Sequence, residues 1–329
     1  MSHPAVLAID AGNSKTDAIL VGPDGTLLDR ARGGGFRPQT EGLPAALSTL
    51  DSVVAALLPG PDGAGPRVDH VSAYLAGVDL PEEEQVLREA VAGRGWGGTT
   101  RVGNDTFALL RAGTSAGWGV AVVCGSGINC AGVAPDGRTL RFPALGRLTG
   151  DWGGGHFLGE ESLWWAVRAE DGRGPRTSLA AAVAAHFALP SANEVAVAFF
   201  TGRIAASRLN ELAPLLFVHA NHGDEVATSL VARLAEEVAS LGLTALRRLD
   251  LLGTPTEVVL GGGVLAARDP SLLSQVESRY AQAAPHAVLR VIATPPVLGA
   301  ALLGLDHLNA PAEAEHRLRT HFATEFATG

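Results

Sequence analysis

The residue whose type and position most clearly indicate chemistry is Lys15, the only lysine among the 25 Lys and Arg residues of the chain. It lies directly after the apolar run of residues 5–9, in the segment Asp10, Ala11, Gly12, Asn13, Ser14, Lys15 and Thr16. An ammonium group on a flexible stem reaches a phosphate oxygen inside a tight loop more easily than a planar guanidinium does. We therefore expect these residues to bind phosphate. The alternative is that the chain strongly favours arginine over lysine and that its one lysine occurs here by chance.

The surroundings of Lys15 do not fit a Walker A loop, which places Lys-Ser/Thr after a glycine and opens a helix. Here Ser14 precedes the lysine, and residues 17–21, which are apolar after Asp17, lead into the turn Pro23-Asp24-Gly25. An apolar run rich in β-branched residues that ends in such a turn predicts a strand. The segment is therefore a hairpin whose backbone N–H groups could form an anion-binding concavity.

A second glycine turn repeats this pattern. The apolar residues 119–124 precede Gly125, Ser126 and Gly127, and residues 128–133 then lead to Pro135-Asp136-Gly137. Two β-meanders with matching turns, each followed by helical sequence, predict a duplicated α/β domain. If the halves face each other, their turns would hold a triphosphate from both sides. Two ordinary hairpins are the alternative.

A third glycine element follows the predicted strand 257–260 and consists of Gly261, Gly262 and Gly263. Consecutive glycines let a flat group approach the backbone closely, so a nucleoside base or ribose would suit this surface. A simple packing role is equally compatible with the three glycines.

Asp105 is the candidate for proton transfer. It follows the short segment 102–104 and precedes residues 106–111, which are predicted to form a helix. Phosphoryl transfer to a hydroxyl needs a carboxylate that accepts the hydroxyl proton, and sites in α/β proteins lie where strands end. A structural role for Asp105 as the helix N-cap is the alternative, and one residue could do both.

Composition limits the function classes. With 329 residues, 47% hydrophobic content and 41 glycines, the chain is an α/β protein of two domains, for which we predict residues 1–114 and 115–329. The last helix, 311–328, is expected to pack back on the first domain, and residues 59–66 form a loop. A net charge of −9 argues against nucleic acid and anionic membranes as partners. Without a signal peptide or an apolar run of bilayer length, we expect a cytoplasmic protein.

These motifs together resemble a known family. Residues 10–16, 124–130 and 260–263 look like the phosphate-1, phosphate-2 and adenosine motifs of the acetate kinase/sugar kinase/Hsp70/actin superfamily, and the chain is most similar to its N-acetylglucosamine kinase and BadF/BadG/BcrA/BcrD ATPase-like family. The resemblance covers nearly the whole length. It implies two actin-like (ribonuclease H-like) α/β domains, each with a βββαβαβα core, around an ATP cleft.

The resemblance also implies roles for particular residues. Asp105 would be the catalytic base, and Asp10 would hold Mg²⁺ through water. ATP would contact Asp10, Gly12, Asn13, Ser14, Lys15, Thr16, Gly125, Ser126, Gly127, Gly261, Gly262 and Gly263. The sugar would contact Asn104, Asp105, Ser126, Asp151, Trp152, Gly153 and Glu160.

The acceptor half of the motif set departs from the family pattern. Glu160 stands where the family has a sugar-binding aspartate, Gly154 and Gly155 are additional glycines, and Arg37 lies in the early loop that often carries an asparagine. These changes leave the identity of the sugar open.

The function implied is ATP-dependent phosphorylation of a sugar hydroxyl by a homodimer, and the hydroxyl expected is the 6-hydroxyl of N-acetylglucosamine or of a related hexosamine or hexose. Two alternatives remain at this stage: an ATPase that activates a dehydratase or reductase, and a non-catalytic sugar sensor. An activator of that class carries an iron–sulfur cluster at its dimer interface, and Cys124 and Cys130 are poorly arranged for one.

Overall fold

The structure, a computed structural model, describes residues 3–58 and 67–326. The predicted loop at 59–66 and the last residues of the predicted C-terminal helix therefore lie outside the described residues. Within the described residues, no helix has the length and apolar character needed to cross a membrane.

The first sheet has five strands in the order β3-β2-β1-β4-β5. β1 pairs antiparallel with β2 and parallel with β4, and β5 extends the parallel part. Its central strands are buried on both faces, which explains their continuous apolar runs. The bounds are Val6–Ala11 (β1), Thr16–Val21 (β2), Leu27–Gly33 (β3), Val68–Leu75 (β4) and Gly97–Asn104 (β5).

The second sheet repeats this arrangement, with the strand order β10-β9-β6-β7-β8. Read from the other edge, the order corresponds strand for strand to that of the first sheet. The antiparallel pair β7–β8 and the parallel pair β9–β10 also match their counterparts. The predicted duplication is thus present, with bounds Gly119–Cys124 (β6), Ile128–Val133 (β7), Thr139–Arg141 (β8), Thr256–Gly261 (β9) and Ala287–Val291 (β10).

The helices complete a βββαβαβα order in each half. Those of the first half are Pro38–Glu41 (α1), Leu43–Leu57 (α2), Pro81–Ala92 (α3) and Asp105–Gly113 (α4). An α-helical insertion precedes β9 in the second half and comprises Gly155–Glu170 (α5), Leu179–His186 (α6), Ala192–Phe200 (α7), Leu212–Asn221 (α8) and Glu225–Arg248 (α9). The remaining helices are Gly263–Ala266 (α10), Pro270–Ala283 (α11), Val297–His307 (α12) and Ala312–Phe326 (α13).

The chain divides into two compact units that interleave along the sequence. Unit 1 contains the described residues within 1–121, 131–143 and 292–329, and unit 2 contains 122–130 and 144–291. The division differs from the predicted boundary at 114/115, because strands β6 and β7 each continue from one unit into the other. The predicted division into domains 1–114 and 115–329 therefore stays a prediction.

Helix α13 packs within unit 1, beside the elements that begin the chain. Leu318 is fully buried in the same apolar cluster as Val6 and Val21. Arg319 donates hydrogen bonds to the carbonyl oxygens of Arg111, Ala112 and Thr114 at the C-terminal end of α4. A helix predicted at the end of the chain therefore stabilises the helix that begins with Asp105.

Candidate active site

In unit 1 the parallel strands β1, β4 and β5 end at the same edge of the sheet. Ala11 lies opposite Leu75, and Leu75 lies opposite Asn104. Asp10 precedes this row and Asp105 follows it directly, while Asp79 lies in the loop that continues from β4. Since ligands in open α/β sheets bind at the carboxyl ends of the strands, this edge is the candidate site.

The hairpin turn between β1 and β2 is closed by a hydrogen bond from the Gly12 N–H to the Lys15 carbonyl oxygen, 2.9 Å long. Asn13, Ser14 and Lys15 are exposed, whereas both flanking strands are buried. Buried strands thus hold a short polar turn at the protein surface, as the phosphate-binding prediction requires.

Lys15 has a partner that the sequence did not indicate. Its Nζ lies 2.7 Å from the Asp17 carboxylate, which also accepts a 2.5 Å bond from Arg32 Nε. Burial alone would raise the pKa of Asp17, but the hydrogen bonds from Arg32 and Lys15 hold that pKa below its usual range. The Lys15 side chain is nevertheless 45% exposed, so its ammonium group faces solvent as well as Asp17.

The turn is also held from behind by the glycine loop after β3. The Phe36 N–H donates to the Gly12 carbonyl oxygen at 2.9 Å. A Cβ on Gly35 would overlap the Asn13 carbonyl, while one on Gly34 would meet no atom within 4 Å. Gly35 therefore permits a close backbone approach that fixes the shape of the turn.

Three carboxylates lie at the strand edge. Burial raises the pKa of Asp10 well above its usual value, and the charges of Asp105 and Asp17 raise it further, while Lys15 opposes the shift. Burial raises the pKa of Asp105 to about 6, against two backbone hydrogen bonds that lower it. Burial, followed by the charges of Asp105 and Glu83, raises the pKa of Asp79 to about 7. Such clustered, shifted carboxylates are typical of functional sites.

Asp105 is not the N-cap of α4, so the structural alternative raised for it is wrong. The cap is Asn104, whose side-chain Oδ1 accepts a 3.0 Å bond from the Thr106 N–H. Asp105 is the first helical residue, where the helix dipole favours a negative charge. Its carboxylate is therefore available for a role other than capping.

In unit 2 the turn after β6 is packed against the start of α5. The N–H groups of Gly155 and His156 donate to the carbonyl oxygens of Gly125 and Ser126, at 2.7 and 2.9 Å. A Cβ on Gly154, whose φ is +86°, would lie 2.5 Å from Gly127. The extra glycine of the sequence thus allows the helix to begin directly on the predicted phosphate-2 turn.

The glycine run after β9 reaches the same turn. Gly262 has a φ of +86°, and a Cβ there would lie 2.7 Å from the Gly125 nitrogen. Gly263 begins α10. Two predicted ATP-binding segments, distant in sequence, therefore meet within unit 2.

The predicted acceptor residues of unit 2 form a polar group around α5. Asp151 accepts a 2.6 Å bond from Thr149 Oγ1, and Glu160 lies 3.4 Å from Arg147 and 3.5 Å from His156. Trp152 is buried, with the Arg233 guanidinium 4.2 Å above its ring. A sugar-binding role for Asp151, Trp152, Gly153 and Glu160 stays a prediction.

The site's fit to a metal ion rests on its charge. Among the described residues, no group of three or more His, Cys, Asp or Glu side chains is placed to ligate a metal. The buried Asp10 carboxylate nevertheless has two carboxylates acting on it and only Lys15 opposing them. This excess negative charge suits a cation that keeps most of its water ligands, as Mg²⁺ does.

Both cysteines are free and fully buried. Burial raises the pKa of the Cys124 thiol to about 12, and it also raises the pKa of the Cys130 thiol. Buried thiols of this kind are poor ligands for a surface iron–sulfur cluster, so the structure does not favour the activator alternative.

Comparison with known proteins identifies the family of the chain. The model of the BadF/BadG/BcrA/BcrD ATPase family matches residues 7–304. The chain is 24% identical to the N-acetyl-D-glucosamine kinase of Dictyostelium discoideum, covering 93% of this chain and 99% of that protein. It is 22% identical to the N-acetylmuramic acid/N-acetylglucosamine kinase of Clostridium acetobutylicum, over 79% of this chain and 85% of that one.

Among solved structures, the candidate N-acetylglucosamine kinase of Chromobacterium violaceum superposes with a TM-score of 0.70 at 24% identity. The match covers 93% of this chain and 100% of that chain. This likeness confirms the predicted fold class, two related α/β domains of the actin-like type.

Sequence reasoning missed one member of the site, Asp79. The signal was present, because Asp79 follows the buried run 71–75 as Asp10 and Asp105 follow theirs. What the sequence did not show is that β4 lies between β1 and β5, which brings the three acids to one edge.

Proposed function

Since this chain belongs to the BadF/BadG/BcrA/BcrD ATPase family, we propose that it is an ATP-dependent sugar kinase acting on N-acetylglucosamine or a related hexosamine or hexose. The observation that carries this proposal is Asp105, a half-buried carboxylate with a pKa near 6 at the edge of the sheet, in the field of Asp10. The curated relatives are kinases of amino sugars, which supports the acceptor class.

In the proposed reaction the primary hydroxyl of the sugar attacks the γ-phosphorus of ATP. The new sugar O–P bond forms as the bond to the β,γ-bridging oxygen breaks, ADP leaves, and the hydroxyl proton passes to Asp105. At pH 7.5 a carboxylate of pKa about 6 is mostly ionised, yet it is a stronger base than an ordinary aspartate.

Each glycine turn, residues 12–15 of unit 1 and 125–127 of unit 2, is proposed to bind phosphate, and residues 261–263 are proposed to bind adenosine. The turns offer backbone N–H groups, and Lys15 offers a cation that already lies beside a carboxylate. Asp10 would hold Mg²⁺ through water; when bound, this ion neutralises charge on the β- and γ-phosphates. The homodimer and the cytoplasmic location remain predictions.

The first test is a coupled assay of ADP release with N-acetylglucosamine, glucosamine, glucose, N-acetylmannosamine and N-acetylmuramic acid as acceptors. Sugar-dependent ADP release and a matching sugar phosphate, identified by mass spectrometry, are the expected results. Nucleotide hydrolysis that no sugar stimulates would favour an ATPase activator, and sugar binding without transfer would favour a sensor.

Substitution of Asp105 by Asn tests the assignment of the base. The amide keeps the size of the side chain but cannot accept the proton, so kcat should fall by about 10²–10⁴-fold, with ATP binding retained by calorimetry. The matched control is Asp29→Asn, which changes an exposed aspartate of β3 and should leave kcat unaltered. Near-normal turnover of Asp105→Asn would assign the proton acceptor elsewhere.

A further inference from the structure

The loop after β4 is fixed by contacts from several elements. The Gly77 carbonyl oxygen accepts a 3.0 Å bond from Gln39. Glu83, in the first turn of α3, accepts 3.0 Å bonds from the N–H groups of Asp79 and Leu80. The backbone that carries Asp79 therefore has little freedom.

The Asp79 side chain contacts Asn104, the N-cap of α4. Asn104 Nδ2 donates to Asp79 Oδ1 at 2.8 Å and to the Val78 carbonyl oxygen at 3.1 Å. Its Oδ1 accepts from the Thr106 N–H at 3.0 Å and from the Thr106 hydroxyl. With acceptors on its nitrogen side and donors on its oxygen side, the buried amide has a single satisfied orientation.

This arrangement has an electrostatic cost. Asp79 is partly buried and lies in the field of the carboxylates of Asp105 and Glu83, while Asn104 and Arg141 oppose the rise of its pKa. A charge-assisted hydrogen bond is roughly twice as strong as a neutral one, so above about pH 7 the ionised carboxylate holds the amide of Asn104 more firmly than a neutral acceptor would.

We propose that Asp79 is a positioning residue for the phosphoryl-transfer reaction, which acts through Asn104 to hold the first turn of α4 and hence the Asp105 carboxylate. The inference rests on the proposed kinase function for its kinetic consequences only. Its structural claim, that the Asp79–Asn104 bond keeps the start of α4 in place, does not depend on any substrate.

A double-mutant cycle tests the kinetic claim. Asp79→Ala should lower kcat by about 10- to 100-fold, as misplacement of a catalytic group does, while KM for ATP changes little. Asp79→Asn keeps an acceptor for Asn104 and should recover most of the lost kcat. Asn104→Ala should lower kcat similarly, and the double variant should be no worse than Asn104→Ala alone.

The cycle separates this role from direct sugar contact by Asp79. If Asp79 bound the sugar independently, the losses of the two single variants would multiply, and KM for the sugar would rise in Asp79→Ala. Either result would overturn the inference. Glu82→Gln is the matched control, because it removes a charge from the exposed start of the same helix α3 and should leave kcat unchanged.

Hydrogen exchange provides a readout that needs no activity. In Asp79→Ala the amide of Thr106 should exchange faster than in the wild type and in Glu82→Gln, since its acceptor is less firmly held. Unchanged exchange at Thr106 would refute the structural claim even in an active kinase. If the wild type phosphorylates no sugar, the proposed function fails, and the exchange measurement still decides the role of Asp79.

Discussion

At the scale of single residues, the candidate site is defined by charges that are expensive to bury. Asp10 is 7% exposed, and besides this burial the negative charges of Asp105 and Asp17 raise the pKa of its carboxylate. Buried carboxylates without matching cations destabilise a fold unless a ligand or metal supplies the missing charge. Their placement at the ends of three parallel strands therefore supports the proposed function.

Lys15 provides a test at this scale, because it lies beside both Asp17 and the exposed turn. In Lys15→Arg the charge and the pairing with Asp17 are kept, but the bulky fork fits a phosphate turn less well. We expect KM for ATP to rise about tenfold, equivalent to about 1.4 kcal/mol, with thermal stability unchanged. An unaltered KM for ATP would mean that Lys15 pairs with Asp17 and does not bind phosphate.

The control for this experiment is Arg32→Lys, which changes the other cation that contacts Asp17. It should leave KM for ATP at the wild-type value. A similar rise of KM in both variants would trace the effect to Asp17 and not to phosphate.

Asp79 gives a pH-dependent prediction. In the folded protein it holds its proton up to about pH 7, whereas an aspartate of the unfolded chain loses it near pH 4. Because the unfolded chain releases the proton first, the contribution of Asp79 to stability falls as the pH rises from about 4 to about 7.

Asp79→Asn cannot ionise, so it should be more stable than the wild type at pH 8 and no more stable at pH 4. Allowing for solvent screening of this half-buried group, the difference at pH 8 is about 1–2 kcal/mol. Urea denaturation at the two pH values measures it. Equal stability of the two proteins at pH 8 would show that the Asp79 charge is compensated.

At the scale of elements, the site depends on turns in which backbone approaches backbone. Gly35 lies against Asn13 in unit 1, and Gly154 and Gly262 lie against the 125–127 turn in unit 2. Side chains at these positions would displace a turn assigned to phosphate, so the glycines determine the shape of these turns.

Two neighbouring glycines provide a matched pair for this idea. Gly35→Ala should push the Asn13 carbonyl out of place, at a cost of about 1–3 kcal/mol, and raise KM for ATP. Gly34→Ala adds the same methyl group where nothing lies within 4 Å and should change neither quantity. Equal effects of the two substitutions on KM would indicate a general loss of loop flexibility instead of a displaced turn.

At the scale of the whole molecule, two sheets with the same strand order arise from one chain whose last segments return to unit 1. Arg111 is buried and pairs with Asp306 of α12 and Glu315 of α13. These ion pairs connect both C-terminal helices to α4, the helix that starts at Asp105. The stability of the site edge therefore depends on residues nearly two hundred positions away in sequence.

Substitution within α13 tests this dependence. Leu318→Ala removes a fully buried side chain from the unit 1 core and should lower the free energy of unfolding by about 2–5 kcal/mol, measured by urea denaturation. His316→Ala, at an exposed position of the same helix, should change it little. A small effect of Leu318→Ala would mean that α13 contributes little to the stability of unit 1.

The sequence by itself determined the local elements of this protein. Buried strands, the two glycine turns, the Pro-Asp-Gly turns and the helix over 106–111 could be predicted from neighbouring residues, because hairpins and helix starts are set by local hydrogen bonding and by glycine and proline conformations. The duplication followed from the same patterns. The resemblance added the family, which the family model over residues 7–304 confirms.

Only the tertiary structure decided which distant residues share an edge. The parallel placement of β4 between β1 and β5 brings Asp79 to Asp105, the pairing of β2 with β3 brings Arg32 to Asp17, and the return of α13 supports α4. The choice of Asn104 over Asp105 as N-cap also needed coordinates, since both residue types cap helices well. These outcomes depend on packing between elements far apart in the chain, which no local pattern of residues encodes.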